Sequence, residues 1–369
     1  MDLNDPPPSD ILELSLFGPG VGECCLIHVG GGRWIVVDSC KDGITGANAA
    51  LTYLERIGVE ATAAIELIVA THAHDDHIAG ISEIVDECPA AEFVCPAAVT
   101  SEQFFALLEA DEALGELRLS VYSEFRKVNA LMAARQRSGS GGAYRWAMGD
   151  RPVFGSPSVG NVPSVVVTAL SPSDAALTRS LQDLGALLYR SDGYRRRIRQ
   201  DPNTLAVALW LEVGGVKVLL GSDVLTGPGQ NCGWNAVLSS PFRPSARASV
   251  FKVPHHGSPT AHHDRVWSEM LDSDVLAVVA PYRAGRHARP DAADRRRIAN
   301  LAGSSYITTR VQDFVPRRLR PRSLALGGVG SNVTSVFGAS GQIRLRTSLT
   351  NSGPWGVELA SPAEELATA

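Results

Sequence analysis

Thr71-His72-Ala73-His74-Asp75-Asp76-His77 packs three histidines and two aspartates into seven positions. Spaced His-x-His, His72 and His74 can chelate one cation from a short loop, while Asp76 and His77 point toward a second. Imidazole nitrogen with carboxylate oxygen suits zinc, and equally manganese or iron. The loop directly follows the apolar run Ile65-Glu66-Leu67-Ile68-Val69-Ala70, which reads as a buried strand. Ligands at the C-terminal end of a strand, just ahead of a helix, stand where α/β folds build their active sites.

The elements that must hold this loop can be read outward from it. Residues 11–95 read as strand, glycine turn, strand, strand, helix, strand, metal loop, helix and strand. The helix over 47–57 stops at Gly58, and the one after the loop carries Ile81, Ile84 and Val85 on one face. Residues 99–135 are amphipathic and helical and run into the breaker at 138–142, so a helical insertion over 99–145 is expected beside the site mouth, as a partial lid, a docking face or simple packing. A strand over 164–170 and a helix with a basic linker over 178–200 follow. Strands over 204–213 and 216–221 then join at Gly214-Gly215 as a hairpin. Beyond these come a helix near 263–271, a strand at 275–280, a helix near 291–302 and short strands around 342–346 and 355–359.

The histidine loop, one earlier segment and two later ones together resemble the metallo-β-lactamase fold family. The resemblance implies an α/β architecture, a four-layer αβ/βα sandwich, here with the helical insertion and a short β-rich C-terminal extension. It implies that Asp38, ending Trp34-Ile35-Val36-Val37, orients a ligand histidine. Asp223, ending the run from Val216 through Ser222, is the implied bridging carboxylate. In Val253-Pro254-His255-His256-Gly257-Ser258, one histidine is the implied last ligand; His255 is preferred because it comes first after the strand. His256 is then a candidate for leaving-group protonation or phosphate binding, and Ser258 for a hydrogen bond to a substrate anion.

Within that family the chain is most similar to the hydrolase domain of the competence protein ComEC/Rec2, from about residue 11 to residue 283. The Gly18-Pro19-Gly20-Val21-Gly22-Glu23 turn, the Asp201-Pro202-Asn203-Thr204 approach and the His255-His256-Gly257-Ser258 element carry this likeness. Asn203 enters as a substrate-binding candidate on the same ground. One departure stands out: no histidine occurs between His77 and Asp223, where the family pattern has a further ligand. Asp174, a water or the substrate itself could fill that position. One or two divalent ions, zinc or manganese, are therefore expected, and a mononuclear site of Asp76, His77, Asp223 and His255 is the alternative to a dinuclear one.

Length, charge and composition bound the remaining readings. A chain of 369 residues with 44% hydrophobic content and no run of about 18 apolar residues reads as globular and without a membrane span. The expected domain plan is a flexible stretch over 1–10, a hydrolase domain over 11–303, and strands over 304–369 packed on that domain. The acidic, proline-rich start lacks the pattern of a secretory signal, and six cysteines without repeated spacing read as reduced thiols, so a cytoplasmic protein is expected. Behind the net charge of −5, arginines cluster at 195–199, 295–297 and 317–322, an arrangement that can track phosphates.

The expected activity is metal-dependent hydrolysis of a phosphodiester in nucleic acid or a nucleotide, the cation making a hydroxide nucleophile available near neutral pH. Asp76 is the expected catalytic carboxylate. A small-molecule ester or lactone hydrolase is the alternative within enzymes. The alternative outside them is a component of a multi-protein system, for instance in defence, whose activity depends on a partner. A protein partner or a homo-dimer is compatible with either.

Overall fold

A computed structural model describes residues 3–20, 22–100, 119–139, 141–160, 162–188, 201–227, 229–284, 287–310, 339–350 and 353–366. The first half of the chain contributes β1 (Ile11–Gly18), β2 (Cys24–His28), β3 (Trp34–Val37), α1 (Ala49–Arg56), α2 (Ala61–Ala64), β4 (Ile65–Val69), α3 (Asp75–Ile78), α4 (Ile81–Glu87), β5 (Glu92–Pro96), α5 (Leu119–Ser138) and β6 (Tyr144–Ala147). The second contributes β7 (Arg151–Ser156), β8 (Val165–Ala169), α6 (Asp174–Leu188), β9 (Leu209–Val213), β10 (Val216–Leu220), α7 (Gly233–Ser239), β11 (Ala248–Lys252), α8 (Asp264–Met270) and β12 (Leu271–Val279). There follow β13 (Tyr282–Ala284), β14 (His287–Arg289), α9 (Ala292–Leu301), β15 (Ser304–Ile307), β16 (Gly341–Ser348), β17 (Gly356–Ala360) and β18 (Glu364–Glu365).

Two eight-stranded mixed sheets face one another. Their strand orders are β17-β16-β1-β2-β3-β4-β5-β6 and β18-β15-β12-β11-β10-β9-β8-β7. In each, an antiparallel meander runs into parallel strands: β3, β4, β5 and β6 pair in parallel in one sheet, and β10, β11, β12 and β15 in the other. Alternate residues of a strand face opposite sides of its sheet, and both sides are covered here. Leu14, Leu16, Ile35 and Leu67 meet Val167, Leu209, Leu211 and Val250 between the sheets. The other faces carry helices: Leu26, Val36 and Ile68 pack against Tyr53, Ile84 and Phe125, and Trp210, Phe251 and Ala277 against Trp234, Trp267 and Ile298. This is the expected four-layer αβ/βα sandwich. Cys24 and Cys25 alternate between faces, and because both faces are covered both thiols are buried.

Three local readings are refined. The strand expected from 204 begins only at Leu209, because Asp201 caps a 3-10 turn over Pro202–Leu205 by accepting from Asn203 N at 3.0 Å. The described part of the insertion is a layer helix: Phe125, Val128 and Met132 of α5 are buried against the first sheet, and Glu124 accepts from Ser82 N of α4 at 2.9 Å. Residues 101–118 of that insertion lie outside the described residues. The C-terminal strands are integral to the sheets, with β16 pairing with β1 in a continuous register from Ile11 with Ser348 to Gly18 with Gly341. Among the described residues no helix is long and apolar enough to cross a membrane.

Candidate metal centre

Four strand ends converge on one place. Asp38 follows β3, the His72–His77 loop follows β4, Asp223 follows β10 and the His255-His256 pair follows β11. Gly221 permits this convergence, since a Cβ there would stand 2.9 Å from both Lys252 O and Pro254 Cβ. Five described non-glycine residues have positive φ, and four of them, Asp38, Ser222, His255 and His256, belong to this cluster. Such backbone costs about 1–3 kcal/mol per residue and gathers where geometry serves a site.

Two triads result. His72, His74 and Asp223 form one, Asp76, His77 and His256 the other, each with its donor atoms within 4.8 Å of one another. His72 Nε2 lies 3.1 Å from His74 Nδ1 and 3.8 Å from Asp223 Oδ2. In the second triad, His256 Nε2 lies 3.1 Å from Asp76 Oδ2. Asp223 touches both, with Oδ1 3.4 Å from His77 Nε2 and Oδ2 3.8 Å from His256 Nε2. The sequence preference for His255 is not reproduced in this grouping: His256 joins Asp76 and His77. His255 stands apart and half-buried, its Nε2 4.0 Å from Asp223 Oδ2 and 3.4 Å from Asn203 Nδ2.

Outer partners orient the imidazoles. His77 Nδ1 donates to Asp38 Oδ2 at 2.7 Å, and Asp38 also accepts from Thr71 N at 2.7 Å and Thr71 Oγ1 at 2.8 Å. His256 Nδ1 donates to Ala280 O at 3.0 Å. Both rings therefore present Nε2 inward, the arrangement in which a partner at one nitrogen frees the other for a metal. His77 Nε2 and Asp223 Oδ1 are buried without a hydrogen-bond partner among the described residues. Orphaned atoms of this kind are costly unless something satisfies them, and a divalent cation fits both the donor set and the need. One or two such ions match the two triads.

Burial and the neighbouring groups set the charge of each side chain, and on His77 a cation would have to replace a proton. Burial pushes the His72 pKa down, with His77 adding to it, which keeps a lone pair available. Burial opposes charge on His77, yet Asp223, Glu23 and Asp38 outweigh it and hold the pKa well up. Burial would likewise raise Asp76, but the hydrogen bond from His256 and the charge of His77 hold it low. Burial pushes His255 below its usual value.

Three participants escaped sequence reasoning. Glu23 follows the glycine turn, where Gly22 has φ +103° and a Cβ would meet Asp76 O at 2.4 Å; Glu23 N donates to that oxygen at 2.8 Å. The Glu23 carboxylate lies 3.6 Å from both His77 Nδ1 and His256 Nδ1 and is ion-paired to Lys252. Glu23, Asp38 and His77 form a third cluster of ligand type, but the Lys252 ammonium already supplies a cation beside it. Tyr282 stacks on His256 with ring centroids 5.0 Å apart at 21°. A charged residue inside the apolar run Val250-Phe251-Lys252-Val253, one of four lysines in the chain, was the available signal for the pair. Nothing in the sequence marks Tyr282.

Other expected residues fall elsewhere. Asp174 is exposed at the start of α6 and joins neither triad. Ser258 is buried and accepts from Thr260 N at 3.4 Å, capping a short turn. His263 caps α8 by accepting from Arg265 N. Arg297 donates to Asp294 Oδ1 at 2.8 Å and to Gly257 O at 2.6 Å, bracing the His255–Gly257 turn. The arginines at 195–199 and 317–322 lie outside the described residues.

The metallo-beta-lactamase superfamily matches residues 17–134. Among solved structures, the metallo-beta-lactamase fold protein YhfI from Bacillus subtilis is 13% identical, with 81% of this chain and 95% of that one covered at a TM-score of 0.39. The short form of human tRNase Z is 11% identical over 79% and 88%, at 0.33. The subclass B3 metallo-beta-lactamase MEM-A1 from a soil metagenome library is 16% identical over 81% and 86%, at 0.33. None of the curated proteins matches. The two-sheet sandwich with its ligand-type triads is that of the metallo-β-lactamase fold, and residues 17–134 are the part of the chain that matches the superfamily.

Proposed function

We propose that this protein is a metal-dependent phosphodiesterase acting on a nucleotide or nucleic acid, similar in chemistry to the ComEC/Rec2 hydrolase domain. The observation that carries the reading is Asp223, whose carboxylate lies 3.8 Å from His72 of one triad and 3.4 and 3.8 Å from His77 and His256 of the other. A shared carboxylate between two cation positions suits in-line displacement at phosphorus, where attacking and leaving oxygens both need stabilising. His72, His74 and Asp223 would hold one cation, and Asp76, His77 and His256, with Asp223 beside them, the other. His255, neutral and next to Asp223, stands in for the histidine missing between His77 and Asp223. The ions, when bound, supply Lewis acidity and activate water near neutral pH.

The chain supplies everything else. Asp38 fixes the His77 ring, and Ala280 O fixes His256. Burial, with Asp76 and Asp223 nearby, raises the Tyr282 pKa, so its hydroxyl remains a donor at the site mouth. Ser258 lies in the same turn as the histidine pair and is a candidate donor to the substrate anion. All six cysteines are free, which suits a reducing cytoplasm.

A small-molecule ester or lactone hydrolase is the second reading. A cleft of about 240 Å³ beside Asn203, lined mostly by small and apolar residues, favours it. Manganese- or zinc-reconstituted protein incubated with end-labelled single-stranded DNA and RNA, beside a folded Asp76→Ala control, separates the two. Cleavage lost in the control supports the phosphodiesterase. Turnover confined to lactones or carboxylic esters supports the second reading.

A further inference from the structure

The cleft beside the first triad has features that a passive gap would lack. Pro172 and Ala176 line it from the start of α6, Ala206 from the turn before β9, and Val224 and Leu225 from the segment after Asp223. Its volume of about 240 Å³ falls just below the range of about 300–1,000 Å³ typical of small-molecule pockets. It holds one ring-sized group rather than a duplex or a long acyl chain.

Asn203 lines this cleft and links it to the metal centre. The residue is only 6% exposed. Its Nδ2 reaches His255 Nε2 at 3.4 Å, whereas its Oδ1 is buried without any hydrogen-bond partner among the described residues. Ser171, which also lines the cleft, is by contrast satisfied, donating to Ala206 O at 2.7 Å and accepting from Ala208 N at 2.8 Å. A buried acceptor left open beside a cleft calls for a ligand donor, because leaving it unpaired costs the full desolvation of the group. The charged lining residues set orientation. Asp183 and Asp201 outnumber Arg179 there, so a phosphate is disfavoured in the cleft and belongs at the triads.

We propose that this cleft is a base-recognition site, taking one uncharged, amino-bearing nucleobase whose N–H donates to Asn203 Oδ1. The proposal rests on the phosphodiesterase reading and deepens it. The substrate is a nucleotide or strand end with its phosphate at Asp223 and its base beside Asn203. A strand running through the cleft as a continuous polyanion does not fit.

Titration calorimetry of the metal-loaded, full-length protein with adenosine, purine riboside and ribose tests it. Purine riboside keeps the ring and lacks the amine. Adenosine is expected to bind about 10-fold tighter than purine riboside, and ribose not to bind. Asn203→Leu should erase the difference between the two nucleosides. Leu225→Trp, a change at a partly exposed lining residue, should fill the cleft and abolish binding of both. Adenosine binding no tighter than purine riboside, or binding unchanged in Leu225→Trp, overturns the proposal. So does a short N-acyl amide binding where adenosine does not. Nucleoside binding involves no hydrolysis. Loss of binding with phosphodiester cleavage intact therefore sinks only the base site, while binding without cleavage sinks the phosphodiesterase reading.

Discussion

Lys252 and Glu23 form an ion pair sealed from solvent, joining the end of β11 in one sheet to the residue just ahead of β2 in the other. Lys252 also donates to Ser222 O at 3.1 Å, tying the pair to the residue before Asp223. Burial opposes charge on Lys252, but Glu23 and Asp223 outweigh it and hold its pKa up. The pair therefore ties the two halves of the sandwich together directly behind His77 and His256.

Removing one partner should be worse than removing both. Lys252→Met strands a buried carboxylate and Glu23→Gln strands a buried ammonium; each is expected to cost about 3–5 kcal/mol. The double variant should recover most of that loss. Urea unfolding of the three proteins reads the coupling directly, and additive losses would show that the pair is not an energetic unit.

His28 should impose a pH dependence unrelated to metal. Burial lowers its pKa to about 4. The neutral ring donates from Nδ1 to Ile11 O at 2.7 Å and accepts at Nε2 from Gly32 N at 3.0 Å. Its unfolded value is about 6.5, so the unfolded chain binds the proton first. Stability is then complete above about pH 6.5 and lost as pH falls toward 4, by up to about 3 kcal/mol. His28→Gln should flatten the difference between unfolding curves at pH 7 and pH 5; an unchanged slope would mean the ring is protonated in the fold.

Asp38 is a positioning residue, and its effect should appear in metal binding. Asp38→Asn keeps the shape but weakens acceptance from His77 Nδ1. A loss of about 10–100-fold in metal affinity is expected. A competition titration with a chromogenic chelator measures it, and unchanged affinity would reduce Asp38 to a strand-end turn residue.

The adjacent histidines should affect different cation positions. His256→Ala and Asp76→Ala are expected to lose the same metal equivalent, and His255→Ala to weaken the other by about 10–100-fold. Metal titrations followed by cobalt absorption distinguish the two. Identical behaviour of His255→Ala and His256→Ala would reject the assignment.

How far the sequence reached follows from what each signal depends on. The loop from His72 to His77 was readable because all its donors lie within six residues, and Asp38 and Asp223 because each ends an apolar run. The choice between His255 and His256 was not readable. The two are adjacent and share a left-handed backbone, φ 48° and 53°, and only the folded turn groups His256 with Asp76 and His77. Glu23 and Lys252 are 229 positions apart in sequence and meet only when the sheets stack. The two sheets repeat one strand plan, yet the sequence shows no repeat, because that plan needs only alternating apolar positions and not particular residues.

Metal content and phosphodiester turnover measured on one sample test the central claim most directly. Wild-type protein and Asp223→Asn would be loaded with manganese or zinc, dialysed and assayed on bis(p-nitrophenyl) phosphate. Two bound equivalents with turnover in the wild type, and loss of both in Asp223→Asn with its fold intact, is the predicted result. Turnover persisting in a folded Asp223→Asn protein, or in protein stripped of metal, would contradict it.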